Sequence, residues 1–235
     1  MKLNQHDTVG DLVARNPQWA AAFERLGIDY CCGGHRPLDE ACTQRGLKLD
    51  DVEAALSAVE RPAEARDWRA ESLTALADHI EQTHHVFLKS QLPRLTELID
   101  KLVVVHGRRH GELADLREVF DGLRMELESH LQKEEIVLFP VIRKIEATEG
   151  PIEFHCGGGL DGPISVMEAE HDAAAEALQR MGELTGGYAT PADGCATYRT
   201  TMDALAAVER DLHEHIHKEN NILFPRAQAL VAARG

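Results

Sequence analysis

Two histidine–glutamate pairs carry the first chemical signal in this sequence. His130-Leu131-Gln132-Lys133-Glu134 is followed by Val137-Leu138-Phe139-Pro140. His215-Ile216-His217-Lys218-Glu219, 85 positions later (215 minus 130), is followed by Ile222-Leu223-Phe224-Pro225. Both copies fit His-apolar-x-Lys-Glu-x-x-apolar-Leu-Phe-Pro. On an α-helix, residues i and i+4 lie on one face, one turn apart. An imidazole nitrogen and a carboxylate oxygen so placed can bind one metal ion or share a pair of ions. Two copies on two helices predict a symmetric site whose remaining ligands lie elsewhere in the chain.

The elements that must position these pairs are long helices. From about Ala70 to Val105, Leu73, Leu76, Ile80, Leu88, Leu92, Leu95, Ile99 and Leu102 recur at helical spacing, with Pro93 an expected kink. A polar stretch from His106 to Gly111 ends that pattern. A second helix is expected from about Glu112 to Ala147, kinked by Pro140. A third starts near Pro163 and ends near Gly186-Gly187, after a connection from Glu149 to Gly162. A fourth runs from about Asp193 to Ala233. Four such helices point to an antiparallel bundle, a fold that builds metal sites from side chains of facing helices. Ahead of it, Met1 to about Ala58 reads as a small helical module. It contains the turn Tyr30-Cys31-Cys32-Gly33-Gly34, and Glu60 to Asp67 is the expected linker. The fold class is therefore all-α: a small N-terminal helical domain over residues 1–60 and an antiparallel four-helix bundle over 68–235.

The repeat locates the missing ligands. His171, the one histidine of the third helix, precedes His215 by 44 positions (215 minus 171) and shares a face with Met167, Ala174 and Leu178. The same offset from His130 gives position 86 (130 minus 44), beside His84-His85. Periodicity leaves that pair open: His84 aligns with Ile80 and Phe87, His85 with Leu88 and Leu92. A set of four histidines and two glutamates suits iron or manganese, whereas zinc lacks a closed four-ligand set with thiolates. Glu170 precedes one ligand and Glu126 lies one turn before another, so both are candidates to orient ligand imidazoles or line an ion path. His213 and His217 lie off the His215 face and are expected at the surface. His106, His110 and His155 are expected in solvated connections, and Cys156 and Cys195 in loops without a role.

Composition narrows the partners. The chain has 235 residues and a formal net charge of −15, which opposes nonspecific binding to nucleic acid. No apolar run is long enough to span a membrane, and Met1 to Asp11 lacks the apolar core of a signal peptide. A soluble, cytoplasmic protein is expected, monomer or homodimer. Five cysteines, two of them adjacent, do not make a disulfide framework. Cys31 and Cys32 are candidates for redox chemistry or iron transfer.

The helical repeat, Glu170-His171-Asp172 and both His-x-x-x-Glu-x-x-x-x-Phe-Pro segments resemble the hemerythrin-like di-iron fold. With Tyr30-Cys31-Cys32-Gly33-Gly34 after a short helical start, nearly the whole chain resembles the repair-of-iron-centres family, iron–sulfur cluster repair di-iron proteins. The resemblance implies two non-haem iron ions with an oxo or hydroxo bridge. It implies the ligands His85, His130, Glu134, His171, His215 and Glu219, with both glutamates bridging. It also selects His85 over His84, because the family's ligand stands seven residues before the leucine of a Leu-Pro pair, here Leu92-Pro93. The fifth histidine of oxygen-carrying hemerythrins has no clear place, which disfavours oxygen storage. The ligand set fits iron delivery to proteins with damaged iron–sulfur clusters, reduction of nitric oxide to nitrous oxide, and sensing of NO or O2. The resemblance favours iron–sulfur cluster repair.

Overall fold

In a computed structural model of the chain, residues 3, 4, 6–59, 66–150 and 159–234 are described. His155 and Cys156, and most of the expected linker, lie outside them. Among the described residues the structure is helical, and the one strand-like feature is an isolated bridge between Thr8 and Pro37. The N-terminal helices are α1 (Val9–Arg15), α2 (Ala20–Leu26), α3 (Leu38–Arg45) and α4 (Leu49–Ser57). The long helices follow as α5 (Leu73–Ile80), α6 (Val86–His106), α7 (Glu112–Lys133), α8 (Phe139–Ala147), α9 (Asp161–Thr185), α10 (Ala196–Lys218) and α11 (Phe224–Ala232). No helix among the described residues is long and apolar enough to cross a membrane.

Three of the long rods are not plain α-helices. Each contains one five-residue π-turn: Glu81–His85 between α5 and α6, Glu134–Leu138 between α7 and α8, and Glu219–Leu223 between α10 and α11. The Val86, Phe139 and Phe224 N–H groups donate to the carbonyls of Glu81, Glu134 and Glu219, five residues back. In two of the three, Phe-Pro follows at once. Pro140 and Pro225 have no N–H to give and would crowd the carbonyl four residues earlier in an α-helix. A widened turn relieves that clash, so the repeated Pro produces a bulge where a kink is expected from sequence. Pro93, by contrast, lies inside the continuous helix α6, and the break in that rod comes earlier, at Glu81–His85.

The chain divides into two compact units. One comprises Asp78–Val141 and Gly162–Leu212; the other comprises Met1–Ala77, Ile142–Asp161 and His213–Gly235. The former holds four helical stretches, and its core repeats at three- and four-residue spacing: Leu88, Leu92, Leu95, Ile99 and Leu102 on α6, Leu113, Leu116, Phe120, Leu123 and Leu127 on α7. Ile164, Met167, Ala174, Leu178 and Met181 of α9 and Met202, Leu205, Val208 and Leu212 of α10 are also buried. Each large side chain contributes about 1.5–3 kcal/mol by leaving water.

In the other unit, Val9, Leu12, Phe23, Ile28, Tyr30, Leu38, Val52 and Leu56 form an apolar cluster, and the Trp19 indole donates to the Leu56 carbonyl. Its long-range polar ties satisfy backbone groups at and before the start of α5. Glu146 accepts from the Leu73 and Thr74 N–H groups at 2.7 and 2.8 Å, capping the start of α5 from α8. Arg226 donates to the carbonyls of Trp68 and Glu71. Burial acts to raise the Glu146 pKa, but the hydrogen bonds from Thr74 and Leu73 and the Arg226 charge outweigh it and hold the carboxyl below its ordinary value. This stabilisation is complete above the ordinary carboxylate range and is lost as pH falls through the depressed pKa. Glu146→Ala is expected to cost about 1 kcal/mol at pH 7, the usual worth of a helix cap. Denaturant titrations at pH 7 and at pH below the carboxylate range check this, since the difference from wild type should vanish in acid.

Candidate metal centre

In the four-helix unit, four of the six expected ligands come together. His85 closes the first π-turn, His130 lies in the last turn of α7, Glu134 opens the second π-turn and His171 sits on the buried face of α9. All four are buried, Glu134 with 0% exposure. The Nε2 atoms of His85 and His130 each lie 3.4 Å from Glu134 Oε2, and the Nε2 atoms of His130 and His171 are 3.1 Å apart. One donor atom each from His130, Glu134 and His171 falls within 4.8 Å of the others.

The outward nitrogens decide what the inward ones present. His85 Nδ1 is 2.8 Å from Glu135 Oε1, and His130 Nδ1 is 2.8 Å from Glu170 Oε2. A carboxylate only accepts, so each Nδ1 carries the proton and donates it. In the neutral ring, Nε2 then holds a lone pair directed inward. Lys89 pairs with Glu135, and Lys133 with Glu170. Burial opposes ionisation of both carboxyls, but the ammonium groups and imidazole hydrogen bonds hold them below their ordinary pKa. Imidazoles backed by carboxylates around a buried glutamate are the usual surroundings of a bound cation, and this donor set fits one.

In the other unit, His215 Nε2 is 3.0 Å from Glu219 Oε1, both side chains fully buried, with Glu219 opening the third π-turn. His217 departs from the surface position expected of it. It does point away from His215, but that side is covered: His217 is buried, its Nδ1 3.2 Å from the Tyr30 carbonyl and its ring edge-on to Tyr30. Burial brings its pKa down to about 4, so the ring is neutral at pH 7 and Nδ1–H donates. His213 is half-buried, 3.8 Å from Glu24.

The Cys-Cys turn is built by neighbouring polar groups. Asp29 accepts from the Cys31 and Gly33 N–H groups at 3.0 and 2.8 Å, and the Cys31 thiol lies 3.2 Å from the same carboxylate. Asn221, inside the third π-turn, donates to the Cys31 carbonyl at 2.8 Å. Its amide fills the space above Gly10 and Gly34, where an added Cβ would come within 2.3 and 2.2 Å of its oxygen. The Cys31 thiol is buried and Cys32 half-buried, and no disulfide joins them. The neighbouring Cys32 thiol, burial and the Asp29 carboxylate push the Cys31 pKa well up.

Glu126 is exposed and lines an open hollow of about 590 Å³ with Glu170, Lys133, Met125 and Val166. His84 is buried against Asp211, 2.9 Å away, whereas the neighbouring His85 faces Glu134. His106 is buried as well, beside Cys195, rather than solvated in a loop. Sequence reasoning missed Glu135, Asn221 and the role of His217. Glu135 had a signal, being the residue beside a ligand in the first copy where Asn220 stands in the second.

A helical bundle carrying an imidazole–carboxylate cluster of this kind defines a hemerythrin-type cation-binding protein. The family model Hemerythrin HHE cation binding domain matches residues 77–227, and the model ScdA_N, Domain of Unknown function (DUF542), matches residues 5–60. The chain is 37% identical over 221 residues to the iron-sulfur cluster repair protein YtfE of Enterobacter sp. (strain 638), covering 94% of this chain and 96% of that one. It is 37% identical over 222 residues to the protein of that name from Escherichia coli O81, with the same coverage, and 36% over 221 residues to that of Cronobacter sakazakii. The chain belongs to this family of iron–sulfur cluster repair proteins.

Glu170→Gln removes the charge that fixes the His130 tautomer while leaving the side chain's size unchanged. It is expected to weaken binding of ferrous iron about 10–100-fold, as measured by competition with a chromogenic chelator.

Proposed function

We propose that this protein holds two non-haem iron ions and repairs damaged iron–sulfur clusters in other proteins by supplying iron. His85, His130, Glu134 and His171 of the four-helix unit, with His215 and Glu219 as the family resemblance implies, would hold those ions. The observation that carries this reading is the pair of carboxylate-backed imidazoles, His85–Glu135 and His130–Glu170, aimed at the fully buried Glu134. The function for which the relatives are named supports it.

Imidazole and carboxylate donors hold ferrous iron less firmly than a thiolate cage, so iron is cargo that this site can give up. The chain's own residues prepare that release. Glu135 and Glu170 keep each imidazole in its binding tautomer, and Lys89 and Lys133 neutralise the outer charge. We assign the hollow shared by Glu126 and Glu170 as the ion's path. We assign the Cys31-Cys32 turn to redox or iron transfer. Cys32 is its accessible thiol, and Cys31 is held as a thiol by its surroundings. Residues 1–60 and 68–235 are assigned as the two domains, and the cytoplasm as the compartment in which they act.

Iron-loaded protein is expected to restore activity to a nitrosylated cluster enzyme, and His130→Ala to lose most of that rescue. Equal rescue by the variant sinks the proposal. Multiple turnovers of nitrous oxide from NO and a reductant, without reactivation of the target, would replace it with nitric oxide reduction.

A further inference from the structure

A second set of reactive side chains lies in the four-helix unit, where α6 ends and α10 begins. Cys195 directly precedes α10, and its carbonyl accepts the first hydrogen bond of that helix from Arg199. Its side chain therefore occupies the N-cap position, with the Tyr198 and Thr197 N–H groups turned toward Sγ. His106, the last residue of α6, places Nε2 3.3 Å from the same sulfur. The imidazole is 4% exposed, whereas Cys195 is exposed. His106 Nδ1 has no hydrogen-bond partner among the described residues, so the thiol is the one group that its ring engages by hydrogen bonding. A helix N-terminus and an adjacent imidazole are two independent devices that favour a thiolate over a thiol.

We propose that Cys195 and His106 form a nucleophilic thiolate–imidazole pair, a site at which hydroperoxides oxidise this protein to a sulfenic acid. The thiolate sulfur attacks one peroxide oxygen, an S–O bond forms and the O–O bond breaks. Sulfur loses two electrons, the hydroperoxide is reduced, and the departing hydroxide or alkoxide takes its proton from solvent. Water or an alcohol leaves, and His106 keeps its Nε2 proton.

The surroundings select the oxidant. Glu112 and Asp193 flank the cluster, each 3.0 Å from a nitrogen of His110, and Arg109 pairs with Asp193. Tyr198 packs its ring against both His106 and His110. The carboxylates, on a chain of net charge −15, disfavour approach of anionic oxidants and admit small neutral ones. The His106 hydrogen bond first, then the Tyr198 N–H, bring Cys195 down to about 7. No other cysteine of the described residues belongs to this unit. The inference is independent of the metal centre.

The test follows alkylation of each cysteine by iodoacetamide in the full chain across pH, read by peptide mass. A Cys195 midpoint near pH 7 is expected, against about 8.5 for an ordinary thiol. His106→Asn should raise that midpoint by more than a unit. It should also slow labelling at pH 7 about threefold, because the smaller thiolate fraction is partly offset by greater intrinsic nucleophilicity. Hydrogen peroxide followed by dimedone should tag Cys195 in the wild-type chain and not in Cys195→Ser. A wild-type midpoint at or above about 8.5 overturns the pair, whatever the variant does. Alkylation near pH 7 without a dimedone adduct at Cys195 overturns its assignment to hydroperoxides.

Discussion

The metal centre depends on a hydrogen bond that no metal would touch. An imidazole offers a lone pair at Nε2 only when its proton sits at Nδ1, and a buried ring with no partner at Nδ1 can carry it on either nitrogen. Glu135 and Glu170 remove that choice at His85 and His130. Each carboxylate is in turn held by a lysine. The arrangement runs outward from buried to solvated groups: Glu134, then imidazole, then carboxylate, then ammonium. Charge that would be costly in the core is balanced one layer at a time, and the lysines stay in water where their hydration is kept.

The backbone supplies the second constraint. A histidine and a glutamate four apart on an α-helix lie side by side, and both copies of the motif use that geometry. In both, the glutamate is also the residue whose carbonyl opens the wider turn. The extra residue in that turn rotates the C-terminal half of the rod relative to the N-terminal half. Each π-turn thus lets one rod aim His and Glu inward and still return Phe139 or Phe224 to the core. Widened turns of this kind concentrate at functional sites, and here the Pro of each Leu-Phe-Pro explains why two of them persist.

Much of this is legible in the sequence, because the informative contacts are local or repeated. The helical spacing of Leu88 to Leu102 exposes a buried face, and the two His-x-x-x-Glu copies and the 44-residue offset to His171 expose a repeated set of buried imidazoles and carboxylates. The choice between His84 and His85 is not legible from period alone. Both rings are buried, but each meets a different distant carboxylate, Asp211 or Glu135, and His85 alone of the two lies beside Glu134. The solvated positions expected of His217 and His106 fail for a related reason. A helical wheel gives direction but not the neighbour that stands in that direction: Tyr30 in one case and Cys195 in the other. The π-turns stay hidden because a proline predicts disruption without saying which form it takes.

The seat of the Cys-Cys turn carries a consequence for the chain's birth. Tyr30 and Cys31 are held by His217 and Asn221, which come 187 and 190 residues later. A ribosome adding about 5–20 residues per second needs on the order of ten seconds or more to make that interval. Throughout it the N-terminal helices can assemble their own apolar cluster, but Gly10 and Gly34 wait without the amide that fills the space above them. A π-turn made late therefore completes a module made well before it, and a nascent chain truncated before Asn221 would leave the thiol turn without its cover.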